Sequence, residues 1–542
     1  MQLQRLCLPA FRNLRDVDIV FASHLPPAAG APADTPPKAI RSHSLIGQNG
    51  TGKSNLIEAL ITIFRDLDLD RPQAPFDYTL EYSLRGHNVR IQAETARQKL
   101  PLVWVDGKQE TQGFLVKHAR EYLPSHVFAY YSGKNERIEA LFRPHQERYK
   151  QLLRQDNDDL VRRLFYCRGG HSQLVLLACL LSDDPVFKKL LENLHIESIE
   201  SALFVLKKPY AARELDAQDI ELGDPRFWYR RGTAVNGFLD KLWQVAWAPV
   251  QETRQVAIDF RRRPEKQELL YLFVADQHKL KELGERVGTP ERFFRYAEAA
   301  YIGDLLEEVR ITVKKRKGHG GDVEFKQLSE GELQMLTVLG LMRITREDHC
   351  LFLLDEPDTH LNPIWKLRYF DDIENVLSPR EDAVVQGESQ ILITTHDPMM
   401  IGSLKREQVH ILRRDGERTV VDVPDEHPQG MGVTGLLKSE LFGLSSTLDT
   451  ETERRLLRRN ELFVKEARTP EENAELSRLS AELADLGFSC ADFRDPDYAL
   501  FVRKMAQHRR FRKPVLTPEE RAEQDAIADD IIDEILREEG GQ

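Results

Sequence analysis

Gly47, Gly50 and Gly52 run into Lys53 and Ser54 at the spacing Gly-x-x-x-x-Gly-Lys-Ser, with Asn49 inside the loop and Asn55 just behind it. Glycines so placed let successive backbone N–H groups turn toward one anion, and a helix starting at the lysine adds a favourable dipole. The chemistry on offer is the cradling of a phosphate chain, with Lys53 reaching β- and γ-oxygens and Ser54 ligating Mg²⁺. The apolar run Cys350-Leu351-Phe352-Leu353-Leu354 ends in Asp355-Glu356-Pro357. A buried strand of this kind delivers carboxylates to the C-terminal edge of a sheet, where Asp355 would hold the Mg²⁺ shell and Glu356 would orient a water. A second apolar strand ends at Thr394-Thr395-His396, and a neutral imidazole there can hydrogen-bond a γ-phosphate or that water. Leu328-Ser329-Glu330-Gly331-Glu332 reads as a helix start: Ser329 caps, and Glu332 three residues on completes a capping box. A helix N-terminus is itself an anion site, so capping and anion binding are compatible there.

These groups need a frame. Ser44-Leu45-Ile46 reads as a strand end, and 54–64, with Leu56, Ile57, Leu60, Ile61 and Phe64, as an amphipathic helix. Residues 2–21 alternate as strands of an antiparallel edge, 26–37 form a Pro-rich loop, and 78–91 and 102–105 continue as strands with Asp106-Gly107 as a hairpin turn. From about 143 to 310 the pattern predicts helices, with 174–181 and 187–194 apolar and 298–309 amphipathic. Phe227, Trp228, Tyr229, Trp243 and Trp247 are expected to pack the core of that insertion, and Arg230 and Arg231 beside them leave base stacking open. Beyond His396, 409–412 and 419–421 flank the turn Asp415-Gly416, and 435–444 reads as a short helix. Residues 450–487 are charged and helical, with Leu456, Leu457, Leu462 and Phe463 at heptad-like spacing. The acidic stretch 518–539 carries Ile527, Ile531, Ile532, Ile535 and Leu536 as either an ordinary terminal helix or a docking helix.

Taken in this order, the phosphate loop, Leu-Ser-x-Gly-x, the strand ending in Asp-Glu, Asp358 and the strand-end histidine resemble an ATP-binding-cassette (ABC) ATPase. The opening Met1-Gln2-Leu3-Gln4-Arg5-Leu6-Cys7-Leu8-Pro9-Ala10-Phe11-Arg12-Asn13-Leu14 and the loop Gly47-Gln48-Asn49-Gly50-Thr51-Gly52-Lys53-Ser54-Asn55 are similar to the RecF, SMC and OLD group. Within it the chain is most like stand-alone AAA ATPases of bacterial restriction and anti-phage systems, the Septu, retron-associated and PARIS types. The resemblance covers about 1–140 and 310–445. It implies an α/β ABC-ATPase head, a mixed sheet with a P-loop core and an antiparallel edge subdomain. A helical insertion would interrupt the head, and a helical C-terminal region would follow it.

The expected domains are 1–142 as the first half of the head, 143–310 as the insertion, 311–445 as the second half, and 446–542 as a partner-binding region. The resemblance further implies that Ser329, Gly331 and Glu332 of one copy close over ATP held by another, with Asp358 at the seam. ATP and Mg²⁺ are the implied cofactors, Glu356 and His396 the catalytic pair, and a homodimer or higher homo-oligomer the implied assembly. Two departures stand out. Ser132, in Val127-Phe128-Ala129-Tyr130-Tyr131-Ser132-Gly133-Lys134, occupies the place where related heads carry a Mg²⁺-sensing glutamine, and is a third candidate ligand. Glu330 and Glu332 stand where transporters have Gly and Gln, adding negative charge that predicts slow turnover.

A net charge of −12 over 542 residues argues against a generally basic nucleic-acid coat, so contacts with DNA or RNA must be local. Lys314-Lys315-Arg316-Lys317 is the best-placed basic run, ahead of Arg261-Arg262-Arg263 and Arg509-Arg510 with Arg512 and Lys513. The cysteines at 7, 167, 179, 350 and 490 show no paired spacing and read as reduced residues of a cytoplasmic protein. Cys167 and His171 lack a second ligand pair, and no stretch approaches the roughly 20 apolar residues of a membrane span. Asp422 and Asp425 do not amount to the acidic nuclease centre of an OLD-type fusion. The favoured expectation is therefore an ATP-gated sensor and scaffold controlling a separate effector, a nuclease, in anti-phage defence. The alternatives are a RecF-like repair or replication accessory and a nucleotide-bound scaffold with little hydrolysis.

Overall fold

The computed structural model describes residues 1–486 apart from 27–37, 134–135, 155–162, 168–169, 210–219, 222, 230–232, 257–264, 317, 319–320, 346–348, 378–388, 445 and 466, and beyond 486 only Ala526. Lys317, Arg261-Arg262-Arg263, Arg230, Arg231, Cys490, the basic cluster at 509–513 and, Ala526 apart, the acidic stretch 518–539 lie outside the described residues.

The N-terminal part supplies β1 (Gln2–Phe11), β2 (Leu14–Val20), β3 (Ser42–Ile46), β4 (Tyr78–Leu84), β5 (His87–Ala93), β6 (Leu102–Val105), β7 (Lys108–Glu110) and β8 (Val127–Tyr131). Next come β9 (Leu164–Tyr166), β10 (Ile196–Lys207), β11 (Trp247–Val256), β12 (Glu265–Val274), β13 (Leu306–Lys315) and β14 (Asp322–Glu324). The last are β15 (Leu351–Asp355), β16 (Gln390–Thr394), β17 (Val409–Asp415) and β18 (Arg418–Asp422).

Every residue of β3, β15 and β16 is buried, as continuous apolar runs require when a strand is covered on both faces. They form the middle of a seven-stranded sheet in the order β18-β17-β3-β16-β15-β8-β9. All its pairings are parallel except β17 with β18. The alternating N-terminal strands form a second, antiparallel sheet, β2-β1-β4-β5-β6-β7, with the polar alternate residues facing out. The helix Lys53–Asp68 lies between the two sheets: its Leu56, Leu60 and Phe64 share one core with Leu6, Leu80, Tyr82 and Ile91 and with Val127, Leu351 and Leu353. The fold class is thus α/β with a mixed sheet around the phosphate loop and an antiparallel sheet beside it.

The expectation of a helical insertion over 143–310 is corrected. Helices are present, among them His171–Leu181, Thr233–Val245, Gln277–Val287 and Pro290–Ile302, but they pack on a third sheet, β11-β12-β10-β13-β14, paired antiparallel throughout. The stretch 298–309, read as one amphipathic helix, breaks at Gly303-Asp304, where Asp304 takes φ 64, and continues as β13. Phe227 is buried in this region as expected, but Trp247 is 71% exposed on the edge strand β11 and Trp228 reaches outward to donate its indole N–H to Glu268.

The helix Glu330–Ile344 is fixed against this insertion at Gly340, where a β-carbon would come within 2.3 Å of Val175 Cγ1 on His171–Leu181. The Arg343–Asp184 ion pair at 2.8 Å, almost fully buried, ties its far end to the helix Pro185–Asn193.

The chain divides into two compact units, Met1–Gln429 and Gly430–Gln542. In the second, Thr450–Val464 and Pro470–Asp485 form a helical pair, with Asp449 capping the first and a Thr469–Glu472 capping box starting the second. Arg458 meets Glu475 at 3.0 Å between them. Leu457, expected on an apolar stripe, is exposed, whereas Leu462 is buried.

Candidate functional site

Parallel register brings the predicted residues to one edge. Asp355 pairs with Thr394 on β16 and with Tyr131 on β8, and Thr394 pairs with Leu45 on β3. The loop after Ile46, the Asp355-Glu356 pair, the Thr395-His396 turn and Ser132 therefore all leave the C-terminal side of adjacent strands, where open α/β sheets bind their ligands.

The loop itself depends on glycine. Gly47 takes φ 151, and a β-carbon there would lie 2.4 Å from the Leu412 carbonyl oxygen on β17; Gly52 takes φ 109, with Leu14 Cδ2 at 2.3 Å. Gly52 also precedes Lys53–Asp68 without a capping side chain, so the first-turn N–H groups remain for an anion. Lys53 is buried; its Nζ donates to the Gly47 carbonyl at 2.7 Å and lies 3.4 Å from that of Gln48. Burial lowers the Lys53 pKa, against the opposing pull of Glu356 and Asp355. Both carboxylates are therefore close enough to act on the ammonium.

Asp355 is buried, and burial raises its pKa despite donation from Thr394 Oγ1 to its Oδ1 and the influence of the Ser54 hydroxyl. Its Oδ2 makes no hydrogen bond of ordinary geometry among the described residues, and neither does the buried Ser132 Oγ. The Ser132 N–H donates to the Asp355 carbonyl at 3.2 Å, which holds that serine beside the acid. Asp355 Oδ2 and Ser132 Oγ, with the Ser54 hydroxyl that acts on Asp355, are hard donors and suit a small divalent cation such as Mg²⁺.

Glu356 stands at φ 49, with its N–H on the Thr394 carbonyl and hydroxyl, both at 3.1 Å. This turn aims the side chain away from the strand, where Oε1 meets His396 Nδ1 at 3.2 Å. A neutral imidazole donating Nδ1–H to that carboxylate would keep Nε2 as acceptor, and among the described residues Glu356 Oε2 has no hydrogen-bond partner.

Asp358, expected at a seam between copies, is buried in this chain: its Oδ2 accepts from Thr395 Oγ1 at 3.1 Å, and burial raises its pKa. It thereby links the loop after β15 to the His396 turn. The same loop touches the serine motif, because Gly331 would place a β-carbon 2.5 Å from the His360 carbonyl, and His360 Nδ1 lies 3.0 Å from Glu330 Oε2.

Ser329 is the N-cap of Glu330–Ile344, and the capping box with Glu332 is complete. Burial alone would raise the Glu332 pKa; Lys315 and the Ser329 donors overcome it and hold the carboxyl below its ordinary range. Among the described residues no hydrogen bond or ion pair links Ser329, Gly331 or Glu332 to 47–55.

The basic run is less open than its sequence suggests. Lys315 is bound to Glu332 at 2.8 Å, Lys314 faces Glu200 at 3.6 Å, and Arg316 faces Glu192 at 3.4 Å. Each described cation of that run already has a carboxylate.

Asn13 has no place in the motifs, yet its Nδ2 donates to the Gly50 carbonyl at 2.7 Å and its Oδ1 accepts from Asn55 Nδ2 at 2.6 Å, bracing the loop from the β1–β2 turn. Arg137 Nη2 adds a bond to Asn55 Oδ1 at 3.2 Å. In the sequence only the general resemblance of residues 1–14 covered this turn, and it gave Asn13 no role. Among the described residues no group of three or more His, Cys, Asp or Glu forms a metal cluster, and no helix is long and apolar enough to cross a membrane.

Residues 224–401 match a family described as "AAA domain, putative AbiEii toxin, Type IV TA system". That segment holds the serine motif, Asp355-Glu356 and His396, and excludes the phosphate loop. No curated protein matches the chain. Among solved structures, the chain is similar to the SMC head domain from Thermotoga maritima, which aligns over 78% of this chain and 99% of its own at 13% identity and a TM-score of 0.30.

Proposed function

We propose that this protein is an ABC-type, SMC/RecF-like ATPase that binds ATP with Mg²⁺ and hydrolyses it slowly. In this reading nucleotide on the phosphate loop of one copy is closed by the Ser329–Glu332 turn of another, and its state gates a separate effector, a nuclease, in defence against phage. The observation that carries the ATPase reading is the convergence of the loop after β3, Asp355-Glu356 after β15 and His396 after β16 on one sheet edge. The words AbiEii toxin and type IV toxin–antitoxin in the matching family's description support the defence setting.

Ser54, Asp355 and Ser132 would hold the cation, which when bound supplies charge neutralisation at the phosphate oxygens. The chain's own groups do the rest. Lys53 and the free first-turn N–H groups fix the phosphates. Glu356 Oε2 takes the proton of the attacking water, while Oε1 stays on His396 and keeps the carboxylate oriented. Polar closure by a second copy fits the serine turn, which in its own chain faces the Asp358–His360 loop.

Phosphate release measured on purified wild type, Lys53→Ala and Glu356→Gln tests the reading. Lys53→Ala is expected to lose nucleotide binding. Glu356→Gln should bind ATP as wild type does and hydrolyse it roughly 10²–10⁴-fold more slowly, the usual contribution of a general base. Equal release by wild type and Glu356→Gln would overturn the hydrolytic mechanism.

A further inference from the structure

Lys315 ends β13, and its Nζ donates to Glu332 Oε1 at 2.8 Å. The other oxygen of that carboxylate, Oε2, accepts the Ser329 N–H at 2.8 Å and the Ser329 hydroxyl at 2.9 Å. The ion pair is largely withdrawn from water, its side chains 13% and 16% exposed, so it is screened less than a fully exposed pair while salt still reaches it. Both members are preset by different elements. Glu332 rides on the first turn of the helix, while Lys315 is held by its own N–H on the Gly321 carbonyl and by the neighbouring Arg316 N–H on the His195 carbonyl.

A capping box needs a hydroxyl and an N3 side chain, and it forms with Gln as well as Glu, without a lysine. Lys315 is therefore more than capping requires. What it alters is charge. While the Ser329 proton points at Glu332 it is withheld from any other anion, and an uncompensated carboxylate beside that hydroxyl repels an incoming phosphate. We propose that Lys315 is a positioning residue that neutralises Glu332, allowing the Ser329 hydroxyl to turn from Glu332 Oε2 to the γ-phosphate of nucleotide held by another copy. This deepens the function proposed above and rests on its premise that the serine turn closes over nucleotide. Glu332 parks the hydroxyl, and Lys315 sets how firmly.

The test compares Lys315→Met, Lys315→Arg, Glu332→Gln and the Lys315→Met/Glu332→Gln double variant. Phosphate release is followed against ATP and salt concentration, with binding of a fluorescent ATP analogue to the phosphate loop as the check that each variant is folded. Lys315→Met should raise the ATP concentration for half-maximal hydrolysis about tenfold, as one partly screened charge would, and the defect should shrink as salt rises. Glu332→Gln in the same chain should abolish most of that defect, because no charge is left to neutralise, and Lys315→Arg should recover most of it. A double variant as impaired as Lys315→Met would show that the lysine merely supports β13 and would overturn the proposal, as would wild-type behaviour of Lys315→Met. Ser329→Arg separates the premise from the proposal: nucleotide binding retained with hydrolysis lost supports closure by the serine turn, whereas hydrolysis at the wild-type rate removes the premise itself.

Discussion

Asp355 shows how one carboxylate can serve a site at a cost to the fold. It is buried with one oxygen unsatisfied, and its pKa is raised chiefly by that burial. An acid whose folded pKa lies above its unfolded one loses stability as pH climbs through that interval, because the unfolded chain releases the proton first. Asp355→Asn should keep the Thr394 bond, remove the charge, and melt at a higher temperature than wild type at pH 7, with the gain shrinking as pH falls toward 3.8, the ordinary aspartate value. Phosphate release by the same variant should drop at least tenfold and respond little to Mg²⁺, in keeping with the loss of a principal ligand. A lower melting temperature at pH 7 would mean that the carboxylate is satisfied within the protein and that the cation reading of this site is wrong. Asp355 was legible in the sequence because an apolar strand ending in acids has few other uses. Asn13 was not, because its contacts with Gly50 and Asn55 depend on the β1–β2 turn coming to rest on a loop more than thirty residues away.

The elements divide along similar lines. β3, β15 and β16 were readable because strands buried on both faces are written as unbroken apolar runs. β10 and β13 were misread as helix for a physical reason. Their pairing shifts register between Ile196 and Ser198, between Ile199 and Ser201, and between Val205 and Leu206. The first two place an extra residue in β10, so the buried positions Ile196, Ile199 and Ala202 recur every third residue and imitate a helical stripe; the third places Glu307 as an extra residue in β13, between buried Leu306 and Val309. Packing between elements gives two predictions. Gly331→Ala must displace the serine helix from the His360 carbonyl, 2.5 Å from the new methyl group, so hydrolysis should fall more than tenfold while ATP binding at the phosphate loop persists; loss of both in titration calorimetry would make Gly331 a general packing residue. In the core sheet, His43 on β3 and His410 on β17 are buried 3.1 Å apart under Phe21, and burial lowers both pKa values, that of His410 to about 4. The unfolded chain protonates first, near 6.5, so stability should be constant above that pH and fall as pH drops from 6.5 toward 4. Denaturant unfolding of His410→Leu should show a flatter dependence across that window, and an unchanged slope would place the acid sensitivity elsewhere.

At the scale of the whole molecule, the proposed site is incomplete in one copy, because Ser329–Glu332 contacts its own Asp358–His360 loop and makes no polar contact with 47–55 among the described residues. Closure by a second copy then needs a surface beside the serine turn that gains from being covered. The helix Pro363–Leu377 begins just after His360, and Ile364 and Leu367, three residues apart on one face, are 63% and 50% exposed. A single exposed leucine is ordinary, but two neighbouring apolar side chains next to the proposed seam are where burial would add to association. Glu356→Gln with Mg-ATP should therefore double its mass in light scattering, and Lys53→Ala should stay at the mass of one chain. Adding Ile364→Asp and Leu367→Asp to Glu356→Gln should weaken that association at least tenfold, since covering two aliphatic side chains contributes on the order of 2–3 kcal/mol and burying unpaired carboxylates opposes it further. Binding of the ATP analogue should not change, because neither residue is part of the phosphate loop. If Glu356→Gln keeps the same mass with and without Mg-ATP, nucleotide does not draw copies together, and control of an effector through paired heads would have to be abandoned even if hydrolysis were intact.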